Sequence, residues 1–320
     1  MLSQKDISQI MWALKGIAIV SVICAHVGTT TWNNSIVSYS SHILNNLGSV
    51  GVGIFYFISG YYYKIDTVNK VAFIKNKVKK LCIPWVIAST CIWLYVVLRK
   101  GDITFLSWIR FVIGDGSIFY FMTNLLLYLF LFSFIPRPKK DKFKMALFLV
   151  IFTISQYFLI LESKNIRFFL TPYLNPFLFV TYFTLGYVFK DKIISWIIIN
   201  NKKWRRIITL FSLIILISPM RFTYYNNGFS IIMELFFIYG MLNICLEMSL
   251  QYNRKLAILG KDSFAIYLWH IPVAGIVTNL MNRAQILQML TLIRPGIVLL
   301  IVLGGMYIMK FMADKKRFLQ

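Results

Sequence analysis

Charge is scarce in this sequence and carboxylates are scarcer: 14% of the 320 residues are charged, and Asp and Glu together number 11. A soluble domain carries roughly 25% charged residues, so an ordinary soluble globule is excluded. Histidine occurs three times, with no HExxH and no paired-ligand spacing, so no metal site is expected. The four cysteines, Cys24, Cys82, Cys91 and Cys245, fall in or at apolar stretches with no CxxC. Neither a disulfide framework nor a thiol redox motif follows from that pattern. Apolar and polar residues do not alternate over strand-length segments, which argues against a β-barrel. Internal repeats and low-complexity linkers are missing too, and the polar segments are too short to fold alone. One membrane-embedded domain over residues 1–320, without a separate soluble domain, is the expectation.

What the sequence does hold is apolar length. Hydrophobic residues make up 58% of the chain, and the mean hydropathy is +0.70. They arrive in runs of roughly 18 to 20, enough to cross a hydrocarbon core about 30 Å thick at 1.5 Å rise per residue. The runs predict an all-α polytopic membrane bundle of about ten transmembrane helices. Its spans lie near 10–28, 47–64, 81–98, 116–135, 144–161, 172–189, 205–220, 229–248, 263–281 and 294–312. The first run carries Lys15 within it and no small-residue cleavage site after it, so it reads as helix one rather than a signal peptide.

The formal charge of +23 would suit nucleic acid if it lay on one soluble face, but the Lys and Arg residues sit in short segments between spans. With a cytoplasmic N-terminus, the inside segments hold 25 of the basic residues and the outside segments eight, with Lys15 left in the membrane. The positive-inside rule then places both termini in the cytoplasm. No nucleic-acid partner is expected. The largest outer loop, Val27 to Asn46, contains Thr29, Thr30, Thr31, Trp32, Asn33 and Asn34 and no Lys or Arg. Such a loop suits carbohydrate contact and suits plain solvation equally.

Ionisable groups inside a bilayer are costly unless they are paired or face a water-filled cavity, which singles out Lys15, His26, Glu234 and His270. Lys15 and His26 stand eleven residues apart on helix one, within ~20° of one face and ~16 Å along the axis. Lys15 alone reads as a side chain snorkelling to the headgroups; His26 alone reads as a core or interfacial hydrogen-bonding residue. Imidazole is also the side chain suited to taking a proton from a hydroxyl near neutral pH. Helix two opens on Gly48-Ser49-Val50-Gly51-Val52-Gly53, small residues that permit close packing, and ends at Ser59-Gly60. Lys75-Asn76-Lys77-Val78-Lys79-Lys80 follows, a positive-inside cluster that is also suited to phosphates. Ser263, Tyr267 and His270 recur at i, i+4 and i+7 and share a helical face. Glu234 needs a cationic or hydrogen-bonding partner, for which Lys15 and His26 are candidates.

As a set these residues resemble the acyltransferase 3 family of bacterial integral membrane acyltransferases, over nearly the whole chain. Lys15 with His26 is similar to the family's basic residue and histidine in helix one. Phe55-Tyr56-Phe57-Ile58-Ser59-Gly60-Tyr61 looks like its helix-two motif, and Lys77-Val78-Lys79-Lys80 ahead of Pro84 looks like its basic-x-x-basic motif. Lys stands where Arg is commoner, and Gly53 stands where the family often has Asp or Pro. Phe119-Tyr120-Phe121-Met122 resembles the aromatic entry to helix four, and Ser263 through Pro272 the late Ser-x-x-x-Tyr-Leu-x-His-x-Pro helix.

The resemblance implies a multi-pass protein of the bacterial cell membrane. It would carry an acetyl or other short acyl group from acyl-CoA, as co-substrate, to a hydroxyl of a surface or exported polysaccharide or its lipid-linked precursor. No bound cofactor is implied. His26 and Lys15 are the implied catalytic residues, with His26 a general base or, alternatively, a transient acyl carrier. Lys77, Lys80, Ser59 and Gly60 are implied on the donor side, and Tyr267, His270, Ser263 and Glu234 in the cavity. A transporter or flippase for a lipid-linked glycan is the competing reading. Against it stands the lack of visible repeat symmetry and of Gly/Pro-broken helix pairs.

Overall fold

A computed structural model describes residues 3–28, 35–64, 70–100, 103–164, 166, 169–218, 229–283 and 290–318. Twelve α-helices occur among the described residues. They are α1 (Gln4–Ala25), α2 (Ser35–Tyr61), α3 (Lys70–Lys100), α4 (Phe105–Ile113), α5 (Tyr120–Leu131), α6 (Asp141–Ser163), α7 (Val180–Phe189), α8 (Ile193–Ile199), α9 (Lys202–Ile217), α10 (Phe229–Glu247), α11 (Leu250–Asn282) and α12 (Arg294–Phe318). No strand occurs among them. Six segments are long and apolar enough to cross a membrane: Gln4–Ala25, Ile36–Tyr61, Lys75–Leu98, Asp141–Glu162, Leu250–Asn282 and Thr291–Met312.

Helix ends follow local chemistry. Ser3 starts α1 with a reciprocal capping box: its hydroxyl accepts from the Asp6 N–H at 3.2 Å, and its own N–H donates to the Asp6 carboxylate at 3.1 Å. Thr104 and Ser107 repeat the device on α4, and Gly114, at φ 97°, closes that helix in the left-handed conformation glycine tolerates.

Two expected spans are shorter than the sequence implied. The run 116–135 yields α5, of 12 residues, because Gly114 and Gly116 both take positive φ and keep the chain in turns up to Tyr120. The run 172–189 yields α7, of 10 residues, preceded by the 3-10 turns Pro172–Leu174 and Pro176–Leu178. Prolines spaced four apart remove two donors from any continuous helix there. Side chains supply the missing partners: Asn124 donates to the Tyr173 carbonyl at 2.9 Å, the Tyr128 hydroxyl donates to the Pro176 carbonyl, and Asn175 accepts from the Phe177 N–H at 2.9 Å. Non-helical backbone among apolar helices needs such protein partners. The outer loop expected over Val27 to Asn46 is also corrected, since α2 begins at Ser35. Thr29, Thr30, Thr31, Trp32, Asn33 and Asn34 lie outside the described residues.

The backbone falls into two compact units. Unit 1 comprises Met1–Gly51, Leu210–Arg221 and Ile244–Gln320; unit 2 comprises Val52–Thr209 and Phe222–Asn243. In unit 1, α1 and α11 run parallel, from Gln9 beside the Leu250 carbonyl to His26 beside His270. Gly16 sits against the Leu256 carbonyl and Gly260 against that of Trp12, so a methyl at either position would overlap backbone. The α1–α2 contact repeats the pattern, with Gly48 on the Ala25 backbone and Gly51 on the Ala18 carbonyl. In unit 2, α2 meets α7 through Gly60 on the Phe183 carbonyl and Gly186 on that of Phe57. Tyr56, fully buried, packs there against Phe121, Tyr128 and Phe179 with ring centroids 4.8, 5.3 and 5.0 Å away.

Candidate active site

The site in unit 1 is assembled by α1 and α11. Gly16 and Gly260 bring the two backbones into contact, and the C-terminal end of α1 faces the middle of α11. His26 caps α1, its N–H donating to the Ile23 carbonyl at 3.0 Å, with φ −108° and ψ 3° that stop the helix. Its ring lies 5.3 Å from that of His270, tilted by 49°. Gly28, two residues on, seats Asn45 and the Ser41 carbonyl of α2, which fixes the turn carrying His26.

The two imidazoles differ in surroundings. His26 is exposed, whereas His270 is wholly buried. His270 Nδ1 lies 2.7 Å from the Tyr267 carbonyl, one turn back on the same helix. A carbonyl only accepts, so Nδ1 carries the proton and Nε2 holds the lone pair. Among the described residues Nε2 has no hydrogen-bond partner. The Tyr267 ring stands 5.9 Å from the His270 ring. Ser263, two turns back from His270, is also buried, and its hydroxyl has no hydrogen-bond partner among the described residues. The stripe expected at Ser263, Tyr267 and His270 is therefore a single buried face of α11. Pro272 follows it within the helix and deprives the Leu268 carbonyl of its ordinary i+4 donor.

One residue of this neighbourhood was missed by sequence reasoning. Arg294, one of the eight basic residues assigned from the sequence to the outside segments, opens α12 and is fully buried. Its Nη2 donates to the Asn282 side chain at 2.8 Å and its Nη1 to the carbonyl of Val27, next to His26, at 3.4 Å. The guanidinium thus ties the ends of α1 and α11 to the start of α12. A charge on the first turn of an apolar run, immediately ahead of Pro295, was the available signal.

Lys15 is half-buried on α1, with its ammonium 5.0 Å from the Trp12 ring centroid. Its place eleven residues ahead of His26 leaves it about 16 Å from the histidine along the axis. The structure does not bring it to the histidine pair.

Unit 2 holds the remaining candidates. Glu234 is buried, and its carboxylate fills the space a side chain at Gly53 would occupy. Tyr120 and Tyr182 lie within electrostatic reach of it. The Ser59 hydroxyl donates to the Phe55 carbonyl at 2.7 Å on its own helix, while Gly60 is the seat of Phe183. Lys77 and Lys80 are exposed on α3.

Comparison with known proteins bears on what this constellation does. A family model described as an acyltransferase domain matches residues 11–310. Neither the curated proteins nor the solved structures give a match.

Proposed function

This chain belongs to that acyltransferase family, whose match spans nearly all of it, and from that premise we propose that it O-acylates a glycan hydroxyl with acetyl-CoA or another short acyl-CoA. The acceptor is a surface or exported polysaccharide or its lipid-linked precursor, and the enzyme works as a bacterial plasma-membrane protein of about ten spans with both termini cytoplasmic. The observation that carries the reading is the facing pair His26 and His270, one accessible and one buried, at the head of the α1–α11 contact.

In the proposed reaction His26 takes the proton of the acceptor hydroxyl as that oxygen attacks the thioester carbonyl. The tetrahedral intermediate collapses, the C–S bond breaks, and the leaving CoA thiolate recovers the proton from the imidazolium. His270, with a lone pair on Nε2, stabilises the imidazolium from behind, and Ser263 and Tyr267 line the approach. Donor phosphates are held by Lys77 and Lys80, and Ser59 is assigned to the donor side, whereas Gly60 is packed against Phe183 and serves the α2–α7 contact. Lys15, about 16 Å along α1 from His26, meets the donor away from the reacting carbonyl, and Glu234 is assigned to substrate contact. Family membership favours this transfer reading over a transporter.

The test is mass spectrometry of surface glycan from cells expressing wild type or His26→Ala at matched membrane levels. Loss of the acyl mass increment with glycan export retained is the expected result. Unchanged acylation would remove His26 from catalysis, and reduced export of unmodified glycan would point to transport.

A further inference from the structure

At the ends of α2 and α7 in unit 2, three cations gather where little negative charge answers them. Arg137 stacks on Tyr187, its Cζ 4.8 Å from the ring centroid, and its Nη2 donates to the Tyr63 carbonyl at 2.8 Å. Its Nε is buried with no hydrogen-bond partner among the described residues. Lys190, three residues beyond Tyr187, holds its ammonium 5.7 Å from the Tyr61 centroid. Lys64, exposed, lies within electrostatic reach of Lys190. The tyrosines are fixed in turn: the Tyr187 hydroxyl donates to the Ile135 carbonyl and that of Tyr63 to the Leu129 carbonyl, each at 2.7 Å.

Ordinary positive-inside residues need only reach the headgroups, and mutual repulsion spreads them apart. Here an aromatic shelf and a backbone carbonyl hold like charges together. Burial pushes the Lys190 ammonium below its ordinary range, and Arg137 and Lys64 push it further, against an upward pull from Asp191. Asp141, another carboxylate of unit 2, is already paired with Lys192 and Lys144. Neither Arg137 nor Lys190 has an ion pair among the described residues. A planar guanidinium backed by a ring, two ammonium groups beside it and tyrosine faces around them match a phosphate ester or diphosphate.

We propose that Arg137, Lys190 and Lys64 form a phosphate-binding site that takes one phosphate group of a nucleotide-bearing acyl donor while Lys77 and Lys80 take another, an extension that rests on the acyl-CoA reading above. The same chemistry fits the headgroup of an acidic phospholipid, so the experiment separates the two sources. Purified full-length protein is placed in phosphatidylcholine nanodiscs and titrated with acetyl-CoA, and retention of phosphatidylglycerol by protein purified from membranes is measured by native mass spectrometry. Wild type is compared with Arg137→Lys, Arg137→Gln and Lys190→Gln. Lys192→Gln removes one charge from the neighbouring surface and serves as the control.

The expected result is an acetyl-CoA Kd raised at least tenfold in both Arg137→Gln and Lys190→Gln. Arg137→Lys should be intermediate and Lys192→Gln unchanged. Loss of phosphatidylglycerol retention with an unchanged acetyl-CoA Kd would support the phosphate site with lipid as its ligand and overturn the donor assignment. No change in either binding would overturn the site. Wild type that binds no acetyl-CoA would instead count against the acyl-CoA reading, leaving the lipid measurement to decide the site.

Discussion

His26 is open to its surroundings while His270 is sealed under it, and that difference assigns them different work. An accessible imidazole can meet an acceptor hydroxyl; a buried one held by the Tyr267 carbonyl can only tune its neighbour. Replacing His26 with Ala should lower kcat by about 10² to 10⁴, the usual contribution of a positioned general base. His270→Ala should lower it less, with the donor KM unchanged, as measured by single-turnover acyl transfer. Arg294 acts through position rather than contact with substrate. Arg294→Lys keeps a charge but loses the fork that serves both Asn282 and the Val27 carbonyl. Losing a charged hydrogen bond there should cost about 1.5–3 kcal/mol of stability, read as a lower Tm in detergent. It should also depress kcat with little effect on donor Kd. At this scale the sequence carried His26, His270, Tyr267 and Ser263, because a polar group in an apolar run stands out. It did not carry Arg294, because a charge at the edge of a run looks like a loop charge until its burial is known.

Helices meet here through glycine, and that makes the crossings intolerant of single methyl groups. Gly260→Ala would drive a methyl into the Trp12 carbonyl and Gly16→Ala one into that of Leu256. Neither obstacle is a flexible side chain, so each variant should lose stability by at least ~1–3 kcal/mol, the range for overpacking. Because the same crossing sets where His26 meets His270, activity should fall more steeply than folded yield; thermal unfolding and acyl transfer on the same sample check this. Gly53→Ala is a different case, since its neighbour is the Glu234 side chain. Shortening that side chain as well, in Gly53→Ala/Glu234→Ala, should restore packing but not any function the carboxylate serves. The small-residue segment of helix two was legible as packing surface, though which partner each glycine meets was not. The short α5 and α7 were half legible: Gly114, Gly116, Pro172 and Pro176 are in plain view, but apolar composition outweighed them in setting the spans.

For the whole molecule, the proposed ten-span plan and the charge bias of the sequence make a prediction of their own. Reporter fusions at the N- and C-termini should both report the cytoplasmic side, and opposite sides would require an odd number of crossings. Membrane residence, helical class and family were set by the sequence itself. Run length, charge asymmetry and ordered short motifs are properties of the chain in one dimension, and no fold is needed to read them. Tertiary structure alone decided what meets what. It placed Arg294 on the carbonyl of Val27, 267 positions away, and His270 beside His26; it put the Glu234 carboxylate in the hollow of Gly53; and it gathered Arg137 and Lys190 on their tyrosines. The reason is physical: among helices apolar enough for the bilayer, hydrophobicity no longer distinguishes one helix neighbour from another. Close backbone approach and the pairing of a few polar groups make that choice, and both depend on register between segments remote in sequence.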